Sequence, residues 1–263
     1  MLQLNKENYH SLKANQVYMS RSQYLDFLNC EAYALAKIQG KWIEETSDAF
    51  LVGSYVHSWN EGARREFISE HPEMFTKAGG LKAQFQTADL MIETLAADPL
   101  VTYMLEGEKE VTFTAEFAGA IWKVRSDVYN QERRRMVELK TTKSILEKSW
   151  SQEHGSRVSF IEMYRYLLQA ALYCEIERSA NGREPGDWLE YYMVAVSKEK
   201  VPDKAVIDLR DPERYAEELA QIEFNMPRVL KVKAGEVDPA RCEACDYCRS
   251  TKVLTGAIHY TAI

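Results

Sequence analysis

The chain has 263 residues, 46% hydrophobic and 28% charged, a composition that fits a globular protein and excludes a disordered or fibrous one. Its 33 basic residues are outnumbered by 40 acidic ones, for a net charge of −7. That argues against a sequence-independent grip on nucleic acid over the whole surface, which relies on many Lys and Arg against phosphates. A basic channel can still coexist with an acidic exterior. No apolar run is long enough to span a bilayer, and the opening Met1-Leu2-Gln3-Leu4-Asn5-Lys6 lacks the features of a secretory signal. The expected location is therefore the cytoplasm, with no membrane partner. Five cysteines, an odd number, argue against a disulfide framework and for free thiols or metal ligands.

The pattern predicts a helix over Met19–Gln39, opening on the cap-like Ser20-Arg21-Ser22-Gln23 and carrying Tyr24, Phe27, Leu28, Ala32, Leu35 and Ile38 at helical spacing. After a charged link, Glu44 to Asp48, a second helix is expected over Phe50–Phe67 and a third over Leu81–Ala96, ending before Asp98-Pro99. The period then changes. Glu110–Phe117 alternates, Ala118-Gly119 breaks it, and Ala120–Tyr129 resumes as a strand; with Met136–Thr141 this makes a three-stranded meander. A helix over Ile161–Ile176, a strand over Trp188–Ser197 and a helix over Pro212–Lys231 follow. The order predicts one α/β (α+β) domain over 1–263, with a helical N-terminal part (18–100), a sheet core (108–232) and a Cys-rich tail (240–254).

Chemistry concentrates on the predicted hairpin. Asp127 on one strand and Glu138 with Lys140 on the next are separated by an even number of residues, so an antiparallel pairing can set Asp127 across from Glu138, with Cβ atoms roughly 5 Å apart. Alternation puts Lys140 on the same face as Glu138. Two such carboxylates repel unless a cation lies between them, and Mg²⁺ prefers oxygen ligands. On its own this spacing also fits a solvated strand face with cross-strand ion pairs. Gln169 and Tyr173 are one turn apart on an otherwise apolar helix and share a face with Tyr166, so amide and phenol can together hold a lysine, a phosphate or a nucleotide. A partly exposed polar stripe is the alternative. His57, one turn before Glu61, precedes the carboxylate pair and is either a metal or phosphate ligand or a structural histidine; Glu61 is given no role. Cys242, Cys245 and Cys248 are spaced Cys-x₂-Cys-x₂-Cys, and Cys30 is the candidate fourth ligand for Zn²⁺ or a [4Fe–4S] cluster. Cys174 reads as a buried core thiol.

In this order and spacing, His57, Asp127, Glu138-x-Lys140 and Gln169-x-x-x-Tyr173 resemble the PD-(D/E)XK nuclease superfamily, specifically its RecB-like and RecE-like exonuclease branch. The opening Met19-Ser20-Arg21-Ser22-Gln23-Tyr24 with Cys30, and the ending Cys242 to Lys252, look like phage-type nucleases of that group. The resemblance implies a restriction-endonuclease-like core, a mixed central sheet flanked by helices with the site on one sheet face. It also implies Mg²⁺ or Mn²⁺ on Asp127, Glu138, the Leu139 backbone carbonyl and His57, and Lys140 orienting the attacking water. The cysteine pattern resembles the iron–sulfur staple of RecB-family helicase-nucleases and CRISPR-adaptation nucleases, which usually have a longer gap before the last cysteine. The implied activity is metal-dependent exonucleolytic cleavage of DNA, at duplex ends or single strands, in phage or prophage recombination alongside a single-strand annealing protein. Related exonucleases can form oligomers. A non-catalytic DNA-end or partner-binding scaffold of the same fold is the competing expectation, and the intact Asp127, Glu138 and Lys140 argue against it.

Overall fold

The computed structural model describes residues 2–44, 47–254, 256, 257 and 259–262. Glu45 and Thr46, in the middle of the charged link expected at Glu44 to Asp48, lie outside the described residues, as does Met1 of the opening segment. The chain gathers into two compact units, one of residues 1–44, 117–122 and 223–263, the other of 45–116 and 123–222.

The first unit holds α1 (Leu12–Val17), α2 (Arg21–Asn29) and α3 (Glu31–Ile38). Ser20 caps α2, its hydroxyl accepting the Gln23 N–H. The helix expected to run unbroken from Met19 to Gln39 is interrupted at Cys30, whose backbone is extended (φ −163°, ψ 107°). That break turns the Cys30 thiol toward Cys248, 3.5 Å away. Fully buried Trp122 donates its indole N–H to the Phe117 carbonyl and meets Tyr24 edge-on at 6.1 Å. Lys233, at the end of α10 (Pro212–Lys233), donates to the Asn15 and Tyr18 carbonyls.

The second unit carries the sheet face on which the candidate site stands. Its helices are α4 (Asp48–Asn60), α5 (Arg64–Glu70), α6 (Ala83–Ala96) and α7 (Pro99–Met104). The single helix expected over Phe50–Phe67 is two, because Gly62 takes φ +74° and closes α4: its N–H bonds the Trp59 carbonyl while the Ala63 N–H bonds that of Ser58, the paired bonds of a left-handed helix stop. Next come β1 (Glu108–Phe117), β2 (Ala120–Asn130) and β3 (Arg135–Thr142), the expected meander. A hairpin of β4 (Ser149–Ser151) and β5 (Ser156–Val158) was not expected. The helix expected over Ile161–Ile176 is divided into α8 (Phe160–Met163) and α9 (Tyr166–Ala180) by Arg165, which is left-handed at φ +51°. The strand β6 (Glu190–Ser197) was expected; the short β7 (Lys204–Asp208) was not.

Among the described residues the central sheet has the order β1-β2-β3-β6-β7. It is mixed: β3 is antiparallel to β2 and parallel to β6, with Glu138 aligned on Met193, and β6 is antiparallel to β7. The parallel step needs a crossover, and the segment containing α9 supplies it. Parity divides the sheet cleanly. Val128, Val137, Leu139, Val194 and Val196 pack with Val52, Val56, Phe85, Met91 and Leu95 of α4 and α6, each fully buried aliphatic side chain contributing about 1.5–3 kcal/mol. Glu138 and Lys140 therefore stand on the other face. The fold is the restriction-endonuclease-like α/β core expected from the sequence. Among the described residues no helix is long and apolar enough to cross a membrane.

Candidate functional site

The hairpin register pairs Val128 with Val137, Tyr129 with Met136 and Asn130 with Arg135. One further step would set Asp127 across from Glu138, but the backbone ladder stops at Val128. Asp127 Oδ2 instead accepts the Leu139 N–H at 2.8 Å, so a side chain takes the place of the ladder bond. The hairpin turn itself is written in the sequence: Asn130 Oδ1 accepts the Arg133 N–H and Arg134 closes the turn at φ +49°.

Asp127 is buried and meets His57 of α4, with 3.5 Å between Oδ1 and Nδ1. A ring nitrogen of His57 and carboxylate oxygens of Asp127 and Glu110 all lie within 4.8 Å of one another. Glu110 was not expected there. It sits in β1 with a left-handed backbone, φ +56°, a conformation that costs an ordinary residue about 1–2 kcal/mol. Arg125 Nε holds its carboxylate at 2.7 Å. The one sequence signal for Glu110 was Arg125 itself, an arginine on the Asp127 face of β2 that calls for an acid on the neighbouring strand.

Glu138 is not in that group of three. Its Oε1 pairs with Lys140 and its Oε2 accepts the Tyr191 hydroxyl at 3.1 Å. Tyr191 in turn accepts the Gln169 amide at 3.2 Å, and Tyr173 meets the Tyr191 ring edge-on at 6.2 Å. Gln169 and Tyr173 thus approach Glu138 through Tyr191, a residue that the motif spacing does not mark. Its parity does: it aligns with Met136 and so shares the Glu138 face. Lys140 Nζ lies 5.9 Å from the Tyr166 ring centroid. Leu139, expected to offer its carbonyl to a metal, contacts Asp127 through its N–H.

The electrostatics follow from this crowding. Burial alone would raise the Asp127 carboxyl, but the charges of His57 and Lys140 and the Leu139 N–H hold it well below the usual carboxylate range. Burial opposes protonation of His57, yet Asp127 wins and raises the imidazole above its ordinary value. Glu110 is pushed up to about 7 by burial and the Asp127 charge, with Glu61 adding to the repulsion and Arg125 relieving part of it. Lys140, despite burial, is held above its ordinary value by Glu138 and Asp127. The two carboxylates supply hard oxygen donors and surplus negative charge that suit Mg²⁺ or Mn²⁺, and the imidazole adds a borderline nitrogen donor.

A second constellation lies in the first unit. The sulfurs of Cys30, Cys242, Cys245 and Cys248 all fall within 4.8 Å of one another, bringing together the four cysteines singled out in the sequence. Cys248 belongs to the short α11 (Asp246–Ser250). The donor set, four thiolates and no oxygen, suits Zn²⁺ or iron. Cys174 is fully buried in the other unit, with its thiol toward the Leu189 carbonyl.

The chain matches the family described as "PDDEXK-like domain of unknown function (DUF3799)" over residues 20–251 and belongs to it. This is the PD-(D/E)XK nuclease fold that the motif order resembled. Among solved structures, a protein from Eubacterium rectale named as a candidate exonuclease is 38% identical, with a TM-score of 0.92 over 100% of this chain and 98% of that one. A second, of SSO0001, is 14% identical over 81% of this chain and 89% of that one, with a TM-score of 0.28, too low for any argument. No curated protein sequence matches the chain.

Proposed function

We propose that the protein is a divalent-metal-dependent nuclease that degrades DNA from its ends. The observation that carries this reading is the convergence of His57, Glu110 and Asp127 within 4.8 Å on a PD-(D/E)XK fold whose Glu138 and Lys140 stand on the adjoining strand. His57, Glu110 and Asp127 would hold Mg²⁺ or Mn²⁺, with Glu138 and the Leu139 carbonyl as the further ligands that the family resemblance implies. Such an ion, when bound, polarises a phosphoryl oxygen and lowers the pKa of coordinated water.

The chain's own residues do the rest. Lys140, held protonated by its acidic neighbours, orients the attacking water as a hydrogen-bond donor and offsets negative charge gathering on the phosphate; it is no general base. Glu138 fixes the Lys140 ammonium. Tyr191 fixes Glu138, and Gln169 fixes Tyr191, so Gln169 acts as a positioning residue. The exonuclease reading rests on the same motif order and on the name of the E. rectale protein, as does the wider role in phage-type recombination, where a trimmed end leaves a strand for an annealing protein.

The test is digestion of linear and covalently closed circular duplex DNA with Mg²⁺ or Mn²⁺. Linear DNA should be degraded and closed circles spared, and Asp127→Asn should abolish degradation with an unchanged circular dichroism spectrum. Activity surviving in Asp127→Asn would move the active site elsewhere; attack on closed circles would make the enzyme an endonuclease.

A further inference from the structure

Four cysteines in a reduced protein suit one zinc ion or a [4Fe–4S] cluster alike, because both take four thiolates. The two occupants differ in size. Four sulfurs each ~2.3 Å from one ion at tetrahedral angles lie about 3.8 Å apart. A cubane cluster puts a separate iron under each thiolate, so the sulfurs stand at the outer corners of a larger body, about 6 Å from one another. Here Cys30 and Cys248 are 3.5 Å apart and Cys242 and Cys248 are 4.0 Å apart. No sulfur pair in the set exceeds 4.8 Å. These separations match four thiolates on one ion and fall short of those a cubane sets.

The backbone builds this spacing. Cys242 Sγ accepts the N–H groups of Ala244 at 3.5 Å and Cys245 at 3.3 Å, and Cys245 Sγ accepts the Cys248 N–H at 3.5 Å. Two overlapping Cys-x₂-Cys turns result, the first allowed by the left-handed Glu243 at φ +56°. Each aims N–H dipoles at sulfur charge and turns the thiolates inward. Arg241 braces the outside, bonding the Cys248 carbonyl at 2.7 Å and the Thr251 hydroxyl at 3.1 Å. The extended residue between α2 and α3 delivers the fourth sulfur.

We propose that Cys30, Cys242, Cys245 and Cys248 bind a single tetrahedral Zn²⁺ that ties the N-terminal helices to the C-terminal tail. Zinc is chosen over a lone iron because it stands above Fe²⁺ in the stability order of divalent ions and suits an all-thiolate site. This assignment does not depend on the nuclease reading and is tested without it.

The 263-residue chain, expressed in medium supplying both iron and zinc and purified without oxygen, should be colourless and carry about one zinc and no acid-labile sulfide per chain. Exchange with Co²⁺ should give the intense visible bands of tetrahedral cobalt thiolate. Zinc should fall at least tenfold in Cys242→Ala and remain stoichiometric in Cys174→Ala. Brown protein with about four irons and sulfide, a single iron, or folded protein without metal would each overturn the proposal.

Discussion

At the scale of single residues, the candidate site is an argument about protons. Glu110 titrates at about 7 and His57 above its ordinary value, yet both must be unprotonated to ligate a metal. Below neutrality protons compete for these positions, and above it the competition fades. Mn²⁺ affinity, followed by calorimetry, should therefore weaken steeply as pH falls through 7, and metal binding near that pH should release protons to the buffer. Glu110→Gln should weaken affinity at least tenfold, about 1.4 kcal/mol, and flatten the pH dependence. An unchanged profile would remove Glu110 from the site. Tyr191→Phe takes a hydroxyl donor from a buried carboxylate, a bond of about 1.5–3 kcal/mol, and should lower both urea stability and turnover. Because Gln169 reaches Glu138 through that hydroxyl, Gln169→Leu should add little once Tyr191 is Phe; full additivity of the two losses would break the proposed chain.

At the scale of elements, the breaks carry as much meaning as the helices. Cys30 interrupts a helix so that its thiol can meet Cys248, 218 positions away in the chain. Closing a loop of that length is worth about 5 kcal/mol on a chain-entropy estimate. Cys30→Ser should therefore lower the melting temperature and loosen α2, α3 and α11 together, while amide protection in β3 and β6 stays high in hydrogen exchange. Loss of protection across the sheet at the same time would show that the cluster supports the whole fold. The strand β1 makes a parallel point: one left-handed residue inside an otherwise regular strand redirects Glu110 toward Asp127.

At the scale of the whole molecule, charge sets the terms of DNA binding. A protein of net charge −7 in which the charges of Asp127 and Glu61 both bear on Glu110 repels phosphate until a cation is bound. Affinity for a duplex end, measured by anisotropy, should be at least about tenfold tighter with Ca²⁺ than with EDTA, or 1.4 kcal/mol, and Asp127→Asn should narrow that gap. Equal affinity in the two conditions would place DNA on a surface away from the acidic group.

Much of this was legible along the chain because it rests on local periodicity. Strand alternation separates Glu138 and Lys140 from Val137 and Leu139, and caps such as Ser20 announce their helices. The order of His57, Asp127, Glu138-x-Lys140 and Gln169-x-x-x-Tyr173 points to the PD-(D/E)XK fold before any coordinate is known. What periodicity could not express depends on contacts between distant segments. The left-handed backbone at Glu110 beside Asp127, the tyrosine standing between Gln169 and Glu138, and the sulfur spacing that distinguishes one ion from a cluster are set by strand register and packing. Each is a distance between atoms far apart in sequence, and such distances exist only once the chain has closed on itself.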